Sequence, residues 1–199
     1  MEELVKEKGF SIRCIPTSFQ AKQLIRKHGL VMSDLEETPR LHVTFDGADE
    51  FDKDCTLIKG GGGCLTQEKI VASASDKLIV LVDHRKRSQS LGINWKKGIP
   101  IEVVPMAYKV VADKIEKSLG GKALLREAVN KAGPVVTDNG NFLLDWDFDY
   151  NRVYDWKQVE SDLNNIPGVV ENGLFVGMTT EVYIGQEDGS FYSVTAKKE

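Results

Sequence analysis

The chain has 199 residues and a mass of 22.1 kDa, which is enough to bury a hydrophobic core. Its formal net charge of -4 makes it a poor electrostatic match for nucleic acid, although a few local lysines are still sufficient to bind a small anion. The sequence shows no hydrophobic run long enough to span a membrane, and its charged start does not resemble a signal peptide. Its three scattered cysteines predict reduced thiols. We therefore expect a cytoplasmic protein without a nucleic-acid or membrane partner.

The first half of the chain alternates predicted strands with predicted helices. The strands are expected at residues 11–16, 41–45, 56–59 and 77–82, and the helices at 17–28 and 65–75. The second helix is expected to turn Ile70 and Val71 inward, and the apolar strand 77–82 is expected to be covered on both faces. This alternation predicts a parallel, doubly wound α/β sheet of the Rossmann-like kind.

The pattern changes near residue 96. Strands are predicted at residues 99–104, 124–129, 134–137, 142–146 and 169–175, and helices at 106–119 and after a capping Asp155. Asp138-Asn139-Gly140 predicts a hairpin turn, and a last hairpin joins 182–185 to 191–194. The order resembles the split β-α-β ferredoxin-like motif. We expect a Rossmann-like catalytic domain of residues 1–95 and 176–199, and a smaller ferredoxin-like α+β domain of residues 96–175.

Ionisable side chains follow three predicted strands of the first domain. Asp46 and Asp49 come after the strand 41–45, Lys59 ends the next strand, and Asp83 and Lys86 follow the third. Open parallel sheets bind their ligands at the carboxyl ends of the strands. If these strands are parallel, the charged groups share one edge of the sheet.

Each feature also has a purely structural explanation. Asp46 and Asp49 are ordinary turn-forming and capping residues, and a carboxylate such as Glu68 is favourable in the first turn of any helix. The lysines taken singly are ordinary solvated charges. Taken together, the carboxylates and lysines predict a site for an anionic small molecule.

Four successive glycines, Gly60 to Gly63, precede the helix that carries Glu68. Such a run sacrifices much backbone entropy, which a loop that a ligand approaches closely explains better than a simple connection. The start of the following helix favours anions. No arrangement in the sequence suggests a zinc site or a Ser-His-Asp triad, so we expect acid–base chemistry without a metal.

Several motifs resemble those of the A-type ribose-5-phosphate isomerase family over nearly the whole chain. The most specific are Asp46-Gly47-Ala48-Asp49-Glu50, Leu57-Ile58-Lys59-Gly60-Gly61-Gly62-Gly63 and Gln67-Glu68-Lys69-Ile70-Val71-Ala72. The likeness continues through Asp83-His84-Arg85-Lys86 and residues 101–107, 136–141 and 166–175. Residues 16–20 and 63–67 resemble the eukaryotic branch of that family.

The resemblance implies an enzyme that interconverts ribose 5-phosphate and ribulose 5-phosphate in the non-oxidative pentose phosphate pathway, without a metal or organic cofactor. Glu68 matches the general base, which moves a proton between C2 and C1 through an enediolate. Asp46, Asp49 and Lys59 match residues that handle the hydroxyls, open the furanose ring and stabilise developing charge.

The resemblance further implies that Lys86 binds the phosphate. The backbone around the carboxylates and in the glycine run is expected to contact the substrate, at Gly47, Ala48, Gly60, Gly61 and Gly62. We also expect a homo-oligomer, either a dimer or a tetramer.

The match lacks one family feature, a strand and a Gly-x-Gly-Ser-Thr-type loop that grips the phosphate. Nothing before Ser11 resembles it, and Met1–Gly9 resembles the end of the helix after that loop. We therefore expect an N-terminally shortened family member. This leaves a second hypothesis open, a weak or inactive protein that binds sugar phosphates or acts as an oligomer partner. A third, a nucleotide-binding Rossmann module, is disfavoured because the dinucleotide fingerprint is absent.

Overall fold

The computed structural model describes residue 5 and residues 7–197. The helix end predicted for residues 1–9 falls largely on residues 1–4 and 6, which lie outside that range. None of the helices in the described part of the chain has the length and apolar character that a membrane crossing requires.

Residues 13–32 form a small parallel unit. Strand β1 (Arg13–Cys14) leads into helix α1 (Phe19–Lys27), and strand β2 (Val31–Met32) then pairs with β1 in parallel. Ser18 caps the helix as predicted, because its side chain accepts a hydrogen bond from the Ala21 amide at 3.0 Å. Strand β2 was not predicted.

A parallel sheet carries the first carboxylate of the predicted site. Its strands are β3 (Thr44–Asp46), β6 (Leu78–Asp83), β12 (Glu181–Gly185) and β13 (Phe191–Thr195). The order is β13-β12-β6-β3, in which β3, β6 and β12 run parallel and the hairpin strand β13 runs antiparallel. Leu78 and Val80 are buried on one face, but Leu81 on the other face is 51% exposed. The prediction that both faces of this strand are covered is therefore wrong.

Helix α2 (Leu65–Ser73) packs on the buried face of this sheet and confirms the predicted helix. Val71 and Ala72 are buried, as expected for residues that face the core. Ile70 is 50% exposed, so its predicted inward orientation is wrong. Consecutive residues of an α-helix are rotated by about 100° around its axis, which is why Ile70 and Val71 face different surroundings.

Lys59 follows a strand of a different sheet. Strands β4 (Glu50–Phe51), β5 (Leu57–Ile58) and β11 (Leu174–Phe175) form an antiparallel sheet in the order β11-β5-β4. The prediction that the Lys59 strand belongs to the parallel sheet is wrong. The reason is a tight turn in which Asp52 Oδ1 accepts the amides of Asp54 and Thr56, reversing the chain between β4 and β5.

The second half of the chain forms a four-stranded antiparallel sheet with two helices. Its elements are β7 (Ile99–Val103), α3 (Tyr108–Leu119), β8 (Lys122–Leu125), β9 (Phe142–Asp147), α4 (Trp156–Asn164) and β10 (Val169–Asn172). The order β10-β7-β9-β8 is that of the predicted split β-α-β motif. Asp155 caps α4 as predicted, because its carboxylate accepts the amides of Lys157 and Gln158.

Three predicted strands of this half differ in the structure. The strand predicted at residues 124–129 is observed as β8 at Lys122–Leu125, so only its first two residues are confirmed. Residues 134–137 form only an isolated bridge between Pro134 and Glu127, because proline has no amide to donate to a ladder. The predicted strand 169–175 is divided at Gly173 into β10 and β11. A Cβ at Gly173 would lie 2.3 Å from the Lys59 carbonyl oxygen, so this close crossing of chains requires glycine. The mixed α/β fold class is confirmed.

Candidate active site

The ammonium group of Lys59 lies at the centre of the predicted residues. Lys59 directly follows β5 and is 3% exposed. Its Nζ lies 3.0 Å from Asp46 Oδ2 and 3.3 Å from Glu68 Oε2, and it donates a hydrogen bond to the Gly47 carbonyl. Three elements from different parts of the chain therefore meet at one buried cation, and sequence reasoning had named all three charged residues.

Two carboxylate oxygens at this centre lack a hydrogen bond. Asp46 Oδ2 and Glu68 Oε2 are buried, and no described residue donates a well-directed hydrogen bond to either, although both lie within ion-pair distance of Lys59. The other oxygen of Asp46, Oδ1, accepts the Gly47 amide at 2.8 Å. Buried polar atoms are almost always satisfied in folded proteins, so two such oxygens side by side indicate a place where a ligand's hydroxyl groups bind.

Burial raises the pKa of Glu68 to about 7. The positive charge of Lys59 opposes this shift, whereas the negative charges of Asp46 and Asp49 add to it. A carboxylate with a pKa near neutrality can accept a proton and return it within one turnover, because neither protonation state is strongly favoured. Glu68 can therefore serve as an acid–base catalyst.

The glycine loop is shaped by its neighbours. Gly60 and Gly63 have φ values of +98° and +82°, which side chains rarely adopt. A Cβ at Gly61 would lie 2.6 Å from Asp49 Oδ1 and 2.7 Å from Trp95 Cη2. The Gly61 amide donates to Asp49 Oδ2 at 2.6 Å. Asp49 is thus held at the loop, beside the cluster around Lys59.

Gly62 differs from these three glycines. Its φ lies outside the left-handed region, and a Cβ added to it would meet nothing within 4 Å. Gly47 is similarly unconstrained, because the nearest atom to an added Cβ is the Leu81 carbonyl oxygen at 3.8 Å. The fold does not require glycine at either position, whereas a ligand that approaches the backbone closely does.

Lys86 lies in a 3-10 helix (His84–Lys86) that follows β6. Its Nζ is 5.9 Å from the centre of the Trp95 ring, the ring that also borders Gly61. Asp83, by contrast, caps this short helix and pairs with Arg85, so its charge is used locally. The structure places Lys86 at the Trp95 end of the loop and leaves Asp83 outside the cluster around Lys59.

Lys69 is adjacent to Glu68 in the sequence but faces away from it. Its Nζ lies 3.0 Å from Glu160 of α4 and 2.9 Å from Glu171 of β10. Burial raises the pKa of Glu160, and the charge of Lys69 opposes that shift. This ion-pair group ties α2 to the antiparallel sheet and so fixes the helix that carries Glu68.

A buried glutamate behind the site was not predicted from the sequence to have a role. Glu102 of β7 is fully buried, and four side chains donate hydrogen bonds to its carboxylate at 2.6 to 3.0 Å, namely those of Thr66, Thr137, Asn139 and Asn141. The turn containing Asn139 is thereby joined to the first turn of α2. A charged residue inside an otherwise apolar strand was the available signal.

A second cation also escaped sequence reasoning. Arg126, which follows β8, donates from Nη1 to the carbonyl oxygens of Gly60 at 3.0 Å and Gly61 at 3.2 Å. Its partners precede it by 66 and 65 residues, so no local pattern could reveal the contact. The glycine loop is therefore held from behind by the antiparallel sheet.

A separate depression of about 450 Å³ lies on the outer side of α2. It is lined by residues of the small β1–α1–β2 unit and of the segment 33–37 that follows it, together with Gln67, Ile70 and Val71. None of the residues predicted for the site lines it, so we assign the site to the cluster around Lys59. Within residues 7–197 and residue 5, no three His, Cys, Asp or Glu side chains are arranged to hold a metal ion.

Comparison with known proteins identifies the family. Residues 13–189 match the family model described as ribose 5-phosphate isomerase A (phosphoriboisomerase A). The chain belongs to the ribose 5-phosphate isomerase A family. Its resemblance to the eukaryotic members is supported by ribose-5-phosphate isomerases of Sus scrofa and Homo sapiens, each 57% identical over 188 residues and 94% of this chain. The chain spans 61% and 60% of the lengths of those two relatives.

A solved structure of the family supports the fold. It is titled as D-ribose-5-phosphate isomerase in complex with phospho-erythronic acid and is 41% identical to this chain. The TM-score is 0.91, and the alignment covers 98% of this chain and 82% of the solved one.

Proposed function

We propose that this chain is an aldose–ketose isomerase that interconverts D-ribose 5-phosphate and D-ribulose 5-phosphate through an enediolate, in the non-oxidative branch of the pentose phosphate pathway. The observation that carries the proposal is Glu68, a buried carboxylate with a pKa of about 7 and an unpartnered oxygen beside Lys59. The isomerisation requires such a group, because one proton must leave C2 and one must reach C1.

Glu68 is the general base of the proposed mechanism. Its carboxylate takes the C2 proton of the open-chain aldose, and the electron pair left on C2 shifts toward the C1 carbonyl to give the enediolate. The protonated Glu68 then delivers a proton to C1, while the proton of the C2 hydroxyl moves to the C1 oxygen. The product is the ketose, and Glu68 is again ionised.

The groups around Glu68 suit the charge that develops. Lys59 is a buried cation 3.3 Å from Glu68, and a preorganised charge in a water-poor site lowers the energy of an enediolate. Asp46, with its unpartnered oxygen, accepts a substrate hydroxyl. Asp49 stands at the glycine loop, where we assign it to opening the furanose ring.

The substrate's other groups have candidate partners. We assign the phosphate to Lys86, and the contacts along the sugar to the backbone of Gly47, Ala48 and the loop residues Gly60, Gly61 and Gly62. The phospho-erythronic acid in the related solved structure supports a sugar-phosphate ligand, because it carries a phosphate and a planar charged carboxylate of enediolate-like shape.

The test is turnover of ribose 5-phosphate by this chain and by Glu68→Gln. The variant keeps the side-chain volume but loses the base, so we expect turnover to fall by at least ~10²-fold while binding of phospho-erythronic acid persists. Exchange of the substrate's C2 proton with solvent should disappear together with turnover. Glu187→Gln, which changes an exposed glutamate on the last hairpin, is the matched control and should retain wild-type turnover.

Near-wild-type turnover in Glu68→Gln would remove Glu68 from the mechanism. A folded wild-type chain that binds phospho-erythronic acid but does not isomerise ribose 5-phosphate would overturn the proposal in favour of a sugar-phosphate-binding family member.

We further propose the two-domain division near residues 96 and 175, a homo-oligomeric state and a cytoplasmic location. Exposed apolar side chains on the parallel sheet, Phe45, Leu81 and Phe191, support self-association. The three free cysteines support a reducing compartment. Sedimentation and limited proteolysis test the assembly and the domain division.

A further inference from the structure

Arg126 contacts the glycine loop on the side opposite to Asp49. Its Nη1 donates to the carbonyl oxygens of both Gly60 and Gly61, and its side chain is only 17% exposed. Because the contact is made to two consecutive peptide groups, it constrains the orientation of the loop backbone and not merely its position.

The guanidinium group is itself held in a fixed orientation. Asp145 of β9 accepts a hydrogen bond from Nε at 2.8 Å and a second from Nη2. A bidentate pair of this kind fixes the plane of the guanidinium, which leaves Nη1 directed at the loop. Lysine could not reproduce this arrangement, because it lacks the planar fork.

The orientation of the carbonyls determines where the amides point. In a trans peptide the C=O and N–H bonds point in opposite directions, and no cis peptide occurs in the described residues. The Gly60 carbonyl shares its peptide with the Gly61 amide, which accordingly points away from Arg126 and donates to Asp49. The Gly61 carbonyl shares its peptide with the Gly62 amide in the same way.

The Gly62 amide is the free donor of this pair. It donates to no acceptor within the described part of the chain, and space is open beside its Cα. A carbonyl that accepts a hydrogen bond from a cation polarises its own peptide and makes the attached N–H a stronger donor. Arg126 therefore both directs the Gly62 amide and strengthens it.

We propose that Arg126 is a positioning residue that directs and polarises the Gly62 amide toward the enediolate oxygen. The proposal rests on the isomerase function proposed above. An amide aimed at an oxygen that gains charge stabilises the transition state more than the bound substrate. Loss of Arg126 should consequently lower kcat more than it raises KM.

The first experiment compares Arg126→Met with the matched control Arg152→Met. Arg152 lies in the same half of the chain and donates to the carbonyl of Leu119, so its loss removes an equivalent arginine–backbone contact elsewhere. For Arg126→Met we expect kcat to fall ~10- to 100-fold, below the loss for deleting an oxyanion-binding donor outright. KM and the Kd for inorganic phosphate should change by less than about threefold. Arg152→Met should leave all of these constants unchanged.

If KM rises in Arg126→Met by as large a factor as kcat falls, or if kcat falls comparably in Arg152→Met, the role of Arg126 is merely structural and the proposal is overturned. Arg126→Lys serves if the methionine variant does not fold. It keeps the charge but not the fork, and should still lose at least ~5-fold in kcat. Wild-type kcat in Arg126→Lys would contradict the proposal.

The second experiment does not depend on turnover. In amide NMR spectra of the wild type, phospho-erythronic acid should shift the Gly62 amide proton strongly downfield, as expected for a new hydrogen bond to a carboxylate. Arg126→Met or Arg126→Lys should show a clearly smaller shift. A wild-type Gly62 amide that does not respond to the ligand would overturn this inference even if the chain is an active isomerase. A responding amide in an inactive chain would instead overturn only the proposed function.

Discussion

The Nζ of Lys59 lies 3.3 Å from Glu68 Oε2 but donates its hydrogen bond to the Gly47 carbonyl instead. The two side chains are therefore paired by charge without a directed hydrogen bond. The positive charge of Lys59 favours the ionised form of Glu68, and the lone pairs of Oε2 stay available to a ligand. This relationship makes Glu68 responsive to the charges around it.

The pH dependence of turnover should report the pKa of Glu68. Because the base must be ionised, kcat/KM should fall as the pH drops below about 7, the pKa to which burial raises this group. Asp46 contributes a negative charge that raises that pKa, so Asp46→Asn should move the acidic limb to lower pH. Asp188→Asn, an exposed change in the last hairpin, should not move it. An acidic limb that stays in place or moves upward in Asp46→Asn would contradict this assignment.

The stability of the protein should also depend on Glu68. Between its ordinary value of 4.5 and about 7, the folded state binds more protons than the unfolded state, so the stability decreases as the pH rises through this range. The loss is about 3 kcal/mol at most, and solvent screening reduces it because the side chain is 18% exposed. Glu68→Gln should therefore be more stable than the wild type at pH 8, with a smaller advantage at pH 5. Urea unfolding at both pH values measures this difference, and an advantage that does not increase with pH would rule the effect out.

Asp49→Asn should separate ring opening from later steps. An asparagine retains an oxygen that can accept the Gly61 amide, so the loop should keep its shape while the charge is lost. Ribose 5-phosphate is mostly a closed ring, whereas its 4-deoxy analogue cannot form a furanose. The substitution should therefore lower kcat/KM for ribose 5-phosphate by ~10-fold more than it lowers kcat/KM for the analogue. Equal losses on both substrates would make Asp49 a general binding residue. Unfolding of the variant would favour a turn-forming role.

Glu102→Leu should strongly destabilise the protein. The substitution removes the shared acceptor of four side chains, two of which, Thr66 and Thr137, are buried, and we expect the free energy of unfolding to fall by roughly 3–5 kcal/mol. Glu102→Gln retains one oxygen acceptor, so its free energy of unfolding should fall less than that of Glu102→Leu. The control Glu187→Leu, at an 86% exposed position, should change the free energy of unfolding by less than about 0.5 kcal/mol. A loss below about 1 kcal/mol in Glu102→Leu would mean that the network is not important for stability.

The positions of the charged residues along the chain were predictable because each follows a strand or begins a helix. Asp46 ends β3, Lys59 follows β5 and Glu68 lies in the first turn of α2. Their convergence occurs for a different reason from the predicted one. The hairpin at Asp52 places β5 in an antiparallel sheet, and Lys59 reaches Asp46 across two sheets rather than along one edge.

The residues that sequence reasoning missed act over long separations. Arg126 contacts Gly60 across the fold, and Trp95 borders Gly61 from a polar loop that had no predicted structure. Such contacts depend on how the sheet that contains β5 packs against the sheet that contains β8, and the local periodicity of the sequence does not encode this packing. Ile70 shows the same limit, since the helix was predicted correctly but the surroundings of its outer face were not.

Substitutions at Gly62 should be treated differently by a genetic selection for folding and by one for activity. Because neither its backbone angle nor any neighbour excludes a methyl group, Gly62→Ala should fold normally and gain about 0.4–1 kcal/mol through the stiffer unfolded chain. A screen that selects for abundance or heat resistance would accept this allele, whereas growth on a substrate that must pass through the site would reject it. Alleles at Gly60 would fail both selections, because its φ of +98° and its close contact with Leu65 require glycine there. The loop thus contains one glycine that folding requires and, two residues later, one that only activity requires.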